Sequence, residues 1–473
     1  MPTSPPAPRH SAAALAAALL GFFVITLDAS IVNVALPAMG RDLHTGMTGL
    51  QWVVDGYVLV FAALLLCAGS LSDRLGAHRA YSVGLTVFII ASTACGLAPN
   101  LATLVTARLV QGAGAAMMMP SSLSLIREAY TDRVRRGRAL AMWSLGGAVA
   151  AAAGPVAGGA LSLVSWRLIF FINLPVGLAT LAVLRRVTHS PRRPVPVDVT
   201  GQVAAIAAMG ALTYAVIEAG AAGFTAPKVI ASFALCVVAA FAFLIAQARA
   251  RHPMVPLDLL CSRPMAIASL TGFAFLGGLT GMVFVYSLYL QDARGLSSLA
   301  TGLVFLPMTV VSGFVTLVAA RTAERFGPRV PIIGGMAFMG VGLILLALVP
   351  TSLPAWATAL LMIPVGLTGP LAIPASTAVL LESVPAHRSG IASGVFNTSR
   401  QVGSALAVAV FGALLARRAH IEHGLRVSLL IAATFALLAA VANLFTTLPA
   451  HHTEPPHPGD QEHRAPLAPA LED

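Results

Sequence analysis

Ala68-Gly69-Ser70-Leu71-Ser72-Asp73-Arg74-Leu75-Gly76-Ala77-His78-Arg79 is a knot of charge and glycine between two long apolar runs. It reads as a tight cytoplasmic turn joining two membrane helices. Far downstream, Glu324-Arg325-Phe326-Gly327-Pro328-Arg329 repeats the acid-Arg-apolar-Gly order, again between apolar runs. The chain is therefore expected to contain two related halves.

Composition agrees with a membrane location. Of 473 residues, 57% are hydrophobic and 10% charged, where soluble proteins carry roughly 25% charged residues. The net charge of +11 comes from 28 Arg and a single Lys, set mostly in short loops. That is the positive-inside pattern of membrane proteins rather than a nucleic-acid stripe. Cys67, Cys95, Cys236 and Cys261 show no disulfide or zinc spacing. Residues 11–39 read as a retained first span, too long for a signal-peptide core.

A span needs ~20 mainly apolar residues. Fourteen segments meet that rule: about 13–38, 50–71, 79–98, 101–126, 138–163, 166–185, 200–218, 226–246, 264–290, 298–320, 329–350, 353–381, 389–416 and 424–447. Twenty basic residues fall on the side of the N-terminus and seven on the other, which places both termini in the cytoplasm. The loop with Arg417, Arg418 and Arg426 runs against that bias.

Asp73-Arg74 aligns with Glu324-Arg325, Arg136 with Arg388, and Pro120-Ser121-Ser122 with Pro374-Ala375-Ser376, at offsets of 251, 252 and 254. Spans one to six thus match spans nine to fourteen, leaving seven and eight as an inserted pair. The expected divisions are an N-terminal segment 1–12, a six-helix bundle 13–185, a linker 186–199, a hairpin 200–246, a linker 247–263, a second bundle 264–447, and a disordered tail 448–473. Two six-span halves around a midplane site is a transporter architecture.

Motifs follow in order along the first half. They are Leu27-Asp28-Ala29-Ser30-Ile31-Val32-Asn33-Val34-Ala35-Leu36-Pro37, then Gly69 to Arg79, then Arg108-Leu109-Val110-Gln111-Gly112-Ala113-Gly114, then Gly154-Pro155-Val156-Ala157-Gly158-Gly159. Ser165-Trp166-Arg167, Asn173-Leu174-Pro175-Val176-Gly177 and Tyr289-Leu290-Gln291 extend the set. Together they resemble the fourteen-span drug:proton antiporters of the major facilitator superfamily over nearly the whole chain. The resemblance implies an all-α integral membrane fold of 6 + 2 + 6 helices in the plasma membrane. It also implies export of small amphipathic drugs or antibiotics in exchange for protons.

Individual residues carry parts of that chemistry. Asp28 and Asp55 lie inside spans one and two, and Arg108 inside span four. A carboxylate in hydrocarbon must be paired, protonated or facing a cavity. Burial disfavours the charged form and a neighbouring guanidinium favours it, so an acid that gains and loses Arg108 can bind and release a proton. Asp28 is expected in that role; the alternative is a static Asp28–Arg108 bridge. Asp55 either shares the proton work or faces outer water beside Gln51 and Trp52.

In the Gly69–Arg79 turn, the glycines allow tight geometry, and Asp73 can sit against a helix N-terminus. The resemblance implies that this helix is span thirteen, at Ser389-Gly390, so that Asp73, Gly69 and Gly76 form a latch. Arg74 and Arg79 either pair with Glu128 or Asp132 or anchor the turn. Pro155 bends its helix, while Ala150, Gly154 and Gly158 form a small-residue stripe that allows close helix contact, in ordinary packing or, together with Gly159, in the antiporter motif of the resemblance. Asn397, Arg400 and Gln401 are expected on the cavity wall, the alternative for Arg400 being a pairing with backbone carbonyls or a remote acid; Tyr57 and Gln111 are further candidates that packing alone could also explain.

The chain lacks a phosphate loop, since Lys228 is followed by Val229, and it lacks His-Glu-x-x-His and Gly-x-Ser-x-Gly. No enzyme, cofactor, metal or nucleic-acid partner is expected; the partners are a small molecule, protons and lipid, and the chain is read as a monomer. The nearer rival is a proton-coupled importer or facilitator of a small metabolite with the same fold. A non-transporting sensor is the more distant one.

Overall fold

A computed structural model of the chain describes residues 8–188, 190–192, 198–250, 253–349, 353–385, 388–416 and 421–446. The tail and Arg417-Arg418 lie outside the described residues. The first half holds α1 (Pro8–Asp42), α2 (Met47–Leu75), α3 (Ala77–Gly96), α4 (Leu101–Ala129), α5 (Arg133–Ser162), α6 (Leu168–Phe171) and α7 (Asn173–Leu184). A hairpin follows, α8 (Val199–Ala222) and α9 (Pro227–Arg249), then a short α10 (Leu257–Leu260). The second half holds α11 (Arg263–Leu288), a π turn (Tyr289–Ala293), α12 (Ser298–Phe326), α13 (Arg329–Leu348), α14 (Ala355–Leu361), α15 (Ile363–Glu382), α16 (Ser389–Leu415) and α17 (Ile421–Leu444).

An all-helical design follows from the solvent, because a helix satisfies its own backbone donors and acceptors in lipid. Several starts are capped by side chains, which supply acceptors for otherwise unpaired amides. Asn100 accepts from Thr103 N at 2.9 Å, Asp132 from Arg135 N at 2.8 Å, Asp198 from Gly201 N at 2.8 Å and Ser297 from Ala300 N at 3.2 Å. Gly76 (φ +84°) and Gly327 (φ +76°) turn the chain between α2 and α3 and between α12 and α13. Both positions need the positive φ that glycine adopts freely, and both belong to the repeated motif.

Among the described residues, thirteen helical stretches are long and apolar enough to cross a membrane. The expected sixth span, 166–185, is a shorter apolar stretch and is broken at Ile172. Pro175 has no amide to bond the Phe171 carbonyl four residues back, and its ring crowds that carbonyl. A second break at Met362 separates α14 from α15, where Pro364 opens the new helix.

In the first half α1 packs on α5, and α4 on α2 and α3; in the second, α11 packs on α16 and α13 on α15 and α17. The halves meet where α5 touches α12, α2 touches α16, and α1 touches α11. Helix α8 lies against both α2 and α16, with Gln202 Nε2 donating to Ala63 O at 2.7 Å. Helix α9 packs on α8 and turns Val237, Val238 and Phe241 outward. At the hairpin tip Glu218 pairs with Lys228.

Candidate functional site

The first-half core contains a closed polar cluster. Asp28 and Arg108 are 0% and 1% exposed. Arg108 Nη1 donates to Asp28 Oδ2 at 2.5 Å and to Gln111 Oε1 at 2.8 Å. Gln111 Nε2 and Asn173 Nδ2 donate to Asp28 Oδ1 at 2.8 and 2.9 Å. Asn173 also reaches Ser92 Oγ at 3.0 Å, which in turn donates to Phe170 O. Arg108 Nε donates to Val53 O at 3.0 Å, and its guanidinium lies 4.3 Å from the Tyr57 ring centroid. The carboxylate is thus held by three donors, as an intramembrane charge requires.

Five helices converge on this cluster: α1, α2, α3, α4 and α7. The break at Ile172 places Asn173 at the first position of α7, where its side chain turns onto Asp28. Gln111 and Tyr57 sit in the cluster rather than on a cavity wall, a correction with a simple cause. Arg108 needs an acceptor and an aromatic face beside it, and residues on neighbouring turns supply them. Asn173 opened one of the quoted motifs without being given a role, and Ser92 was not singled out from the sequence. The signal was there, since a polar residue in an apolar run demands a partner.

Asp55 is 0% exposed, and neither of its oxygens has a partner among the described residues. It does not face outer water. Gln51, one turn earlier, is buried between the halves and donates to Ala409 O at 2.7 Å. A Cβ on Gly412 would stand 2.5 Å from Gln51 Nε2, so α16 is cut away to receive that side chain.

The glycine motif of α5 forms two seams. A Cβ on Gly154 would collide with Ser30 Oγ, and one on Gly158 would stand 2.6 Å from Ile31 O, directly beyond Asp28 on α1. A Cβ on Gly159 would stand 2.5 Å from Ser298 O and 2.8 Å from Leu299 Cα, on the other half. Gly302 of α12 is pressed against the Pro155 carbonyl. Gln291, in the π turn, donates to Val34 O at 2.9 Å and accepts from Ser298 Oγ at 2.9 Å. These contacts close the halves at the end remote from Gly76.

At the Gly76 end the halves stand apart around a cavity of about 2150 Å³. Asp73, Arg127, Arg136, Asp258, Arg388, Ser389 and Gly390 ring its mouth. Asp73 is exposed and makes no hydrogen bond to α16 among the described residues. Gly69 lies within α2, not in the turn, and lines the cavity; a Cβ there or on Gly390 would meet nothing within 4 Å. Only Gly76 carries the tight geometry, and its Cβ would meet Ser190 O at 2.8 Å. Arg74 and Arg79 are exposed and form no ion pair among the described residues. Asp132 caps α5, and Glu128 accepts from Ser190 Oγ at 2.5 Å.

Deeper, the wall is largely apolar. Phe22 and Trp143 stack with centroids 3.9 Å apart on the first half, and Phe275, Leu276 and Leu279 line the cavity from α11 of the second. Asn397 and Arg400 line the cavity, and Gln401 does not. The Arg388 guanidinium beside Asp258 on α10 holds that carboxyl below the usual carboxylate range. The arrangement is a chamber closed at one end, beside a buried ion pair.

The family model of the Major Facilitator Superfamily matches residues 18–408. The Methylenomycin A resistance protein of Bacillus subtilis (strain 168) is 36% identical over 92% of this chain and 93% of its own. The Multidrug resistance protein Stp of Mycobacterium tuberculosis is 36% identical over 84% of this chain and 74% of its own. The Multidrug efflux pump LfrA of Mycolicibacterium smegmatis is 34% identical over 87% and 82%. A D-xylose-proton symporter shares the fold, with a TM-score of 0.68 over 92% of this chain and 97% of its own, at 15% identity. The chain therefore belongs to the Major Facilitator Superfamily and is a multi-pass transporter of the plasma membrane, not an enzyme.

Proposed function

We propose that the chain exports small amphipathic drugs or antibiotics in exchange for protons by alternating access. The observation that carries this reading is the sealed Asp28–Arg108 pair. It lies two residues beyond Thr26 of the cavity wall and against the glycine seam that closes the far end. A proton on Asp28 would remove the charge that Arg108, Gln111 and Asn173 hold, loosening α1 from α4 and α7. Movement of α1 would be felt at Ser30 and Ile31, where Gly154 and Gly158 lock it to α5. Asp55, enclosed without donor or cation, is the second proton site in this reading.

The resistance and efflux names of the relatives support the direction and the substrate class. In this reading α6 and α7 form one crossing, giving fourteen in a 6 + 2 + 6 order. The arginine-rich Gly76 end is cytoplasmic, as are both termini. The cavity then opens inward. Closing it brings the bare surfaces at Gly69 and Gly390 together, with Asp73 at the start of α16, the latch of the outward-facing state. The protein works as a monomer.

Expression in a drug-sensitive host, with and without a protonophore, tests the reading. Resistance that the protonophore abolishes is expected. Intracellular accumulation instead of loss would favour the importer.

A further inference from the structure

Among the described residues lining the cavity, Arg400 is the only charged side chain away from the mouth. It lies eleven residues into α16 from Ser389, about 16 Å of helix rise. Neighbouring helices are shaped around it. A Cβ on Gly272 of α11 would stand 2.7 Å from Arg400 Cγ, so the stem occupies space that glycine leaves. The guanidinium carbon is 5.8 Å from the Phe275 ring centroid. Among the described residues, the acceptor it reaches is Asn397 Oδ1, 3.2 Å from Nη1, and its Nε is enclosed with no acceptor. Leaving a buried donor unmet is costly, and a cation at this depth calls for a counter-charge.

The mouth does not supply one. Asp258 is taken by Arg388, and Asp198 caps α8 and accepts from Gln247. Asp73 shares the mouth with Arg127 and Arg136, and none of the three forms an ion pair among the described residues. Asp28 and Asp55 are sealed away from the cavity. The chamber therefore has a positive floor and apolar walls.

We propose that the substrates are amphipathic organic acids, with the carboxylate on Arg400 beside Asn397 and the apolar body between Phe275–Leu279 and Phe22–Trp143. The planar guanidinium fork matches a carboxylate edge. The proposal rests on the reading of this chamber as the substrate site and adds the substrate's charge.

Three probes of one size test it: 1-naphthylacetate, its methyl ester, and 1-naphthylmethylammonium. Their binding to the full chain in detergent micelles is measured by calorimetry. The acid should bind at least tenfold more tightly than the other two, as expected for a charge-assisted contact. Arg400→Gln should weaken the acid much more than the ester and so erase the difference, and Arg400→Lys should keep part of it. Equal affinities, preference for the ammonium probe, or binding of none overturns the proposal, as does equal weakening of acid and ester in Arg400→Gln. The wild-type comparison stands even if the variants do not fold. If the acid binds through Arg400 but is not moved by a pH gradient in proteoliposomes, the antiport reading fails and this one holds. If the ammonium probe is moved in preference, the reverse follows.

Discussion

Gly159→Ala puts the glycine seam to a quantitative test. The added carbon would stand 2.5 Å from Ser298 O and 2.8 Å from Leu299 Cα. Both are backbone atoms, so no side-chain rotation relieves the contact, and reaching 3.4 Å requires about 0.9 Å of separation between α5 and α12. Overpacking of this kind costs about 1–3 kcal/mol, a roughly 5- to 150-fold shift between two states. Alanine's better helix propensity works the other way by about 1 kcal/mol, so the matched control is Gly137→Ala in the same helix, where nothing lies within 4 Å. Spin labels on the exposed residues Leu163 and Leu303, in a background with the four native cysteines replaced, report the gap by double electron–electron resonance. Gly159→Ala should move the distribution to longer distances, and Gly137→Ala should not. Superimposable distributions for wild type and Gly159→Ala would refute the idea that this seam holds the far end closed.

Other perturbations probe the remaining parts. Asp28→Asn leaves Arg108 without its counter-charge and should cost about 3–5 kcal/mol. Its thermal unfolding in micelles should fall, and pH-gradient-driven efflux should vanish while substrate counterflow persists. Asn173→Ala removes one donor to Asp28 and one to Ser92 and should cost about 1–3 kcal/mol; unchanged unfolding would mean that the cluster is not coupled through α7. Asp73→Asn should slow transport severalfold and leave equilibrium binding intact, whereas equal loss of both would make the turn merely structural. Because Arg388 lowers the Asp258 carboxyl, their contact is complete above the ordinary carboxylate range and is lost as pH falls through the lowered value. Hydrogen exchange over residues 253–260 should accelerate on acidification, and Asp258→Asn should reproduce that at neutral pH; constant protection would contradict the link.

Thirteen of the fourteen expected spans and the repeated turn were legible because apolar windows and glycine-with-charge turns are local signals. Gly76 and Gly327 share a positive φ that their motif implied. What the sequence concealed was direction. Helices apolar on all sides carry no period to say which face meets a neighbour, so Gln111 and Tyr57 could not be told from cavity residues, nor Gln51 from an interfacial one. Gly69 looked like part of the turn because glycine near charge usually is. Its helical backbone and open surroundings emerge only from three-dimensional placement. Asn173 stood in a quoted motif, but its contact with Asp28 depends on the break at Ile172, which a run of apolar residues with one proline does not reveal. An interaction between Asp28 and Arg108 was anticipated from their places inside the spans together with the family resemblance, and the two are paired in the structure.

The most direct measurement follows protons and substrate together in proteoliposomes of the full chain, with a pH-sensitive dye in the lumen. Imposing a substrate gradient should drive protons in the opposite direction, and Asp28→Asn should abolish that flux while substrate exchange continues. Substrate movement with protons travelling alongside it, or with no proton flux at all, would contradict antiport through Asp28.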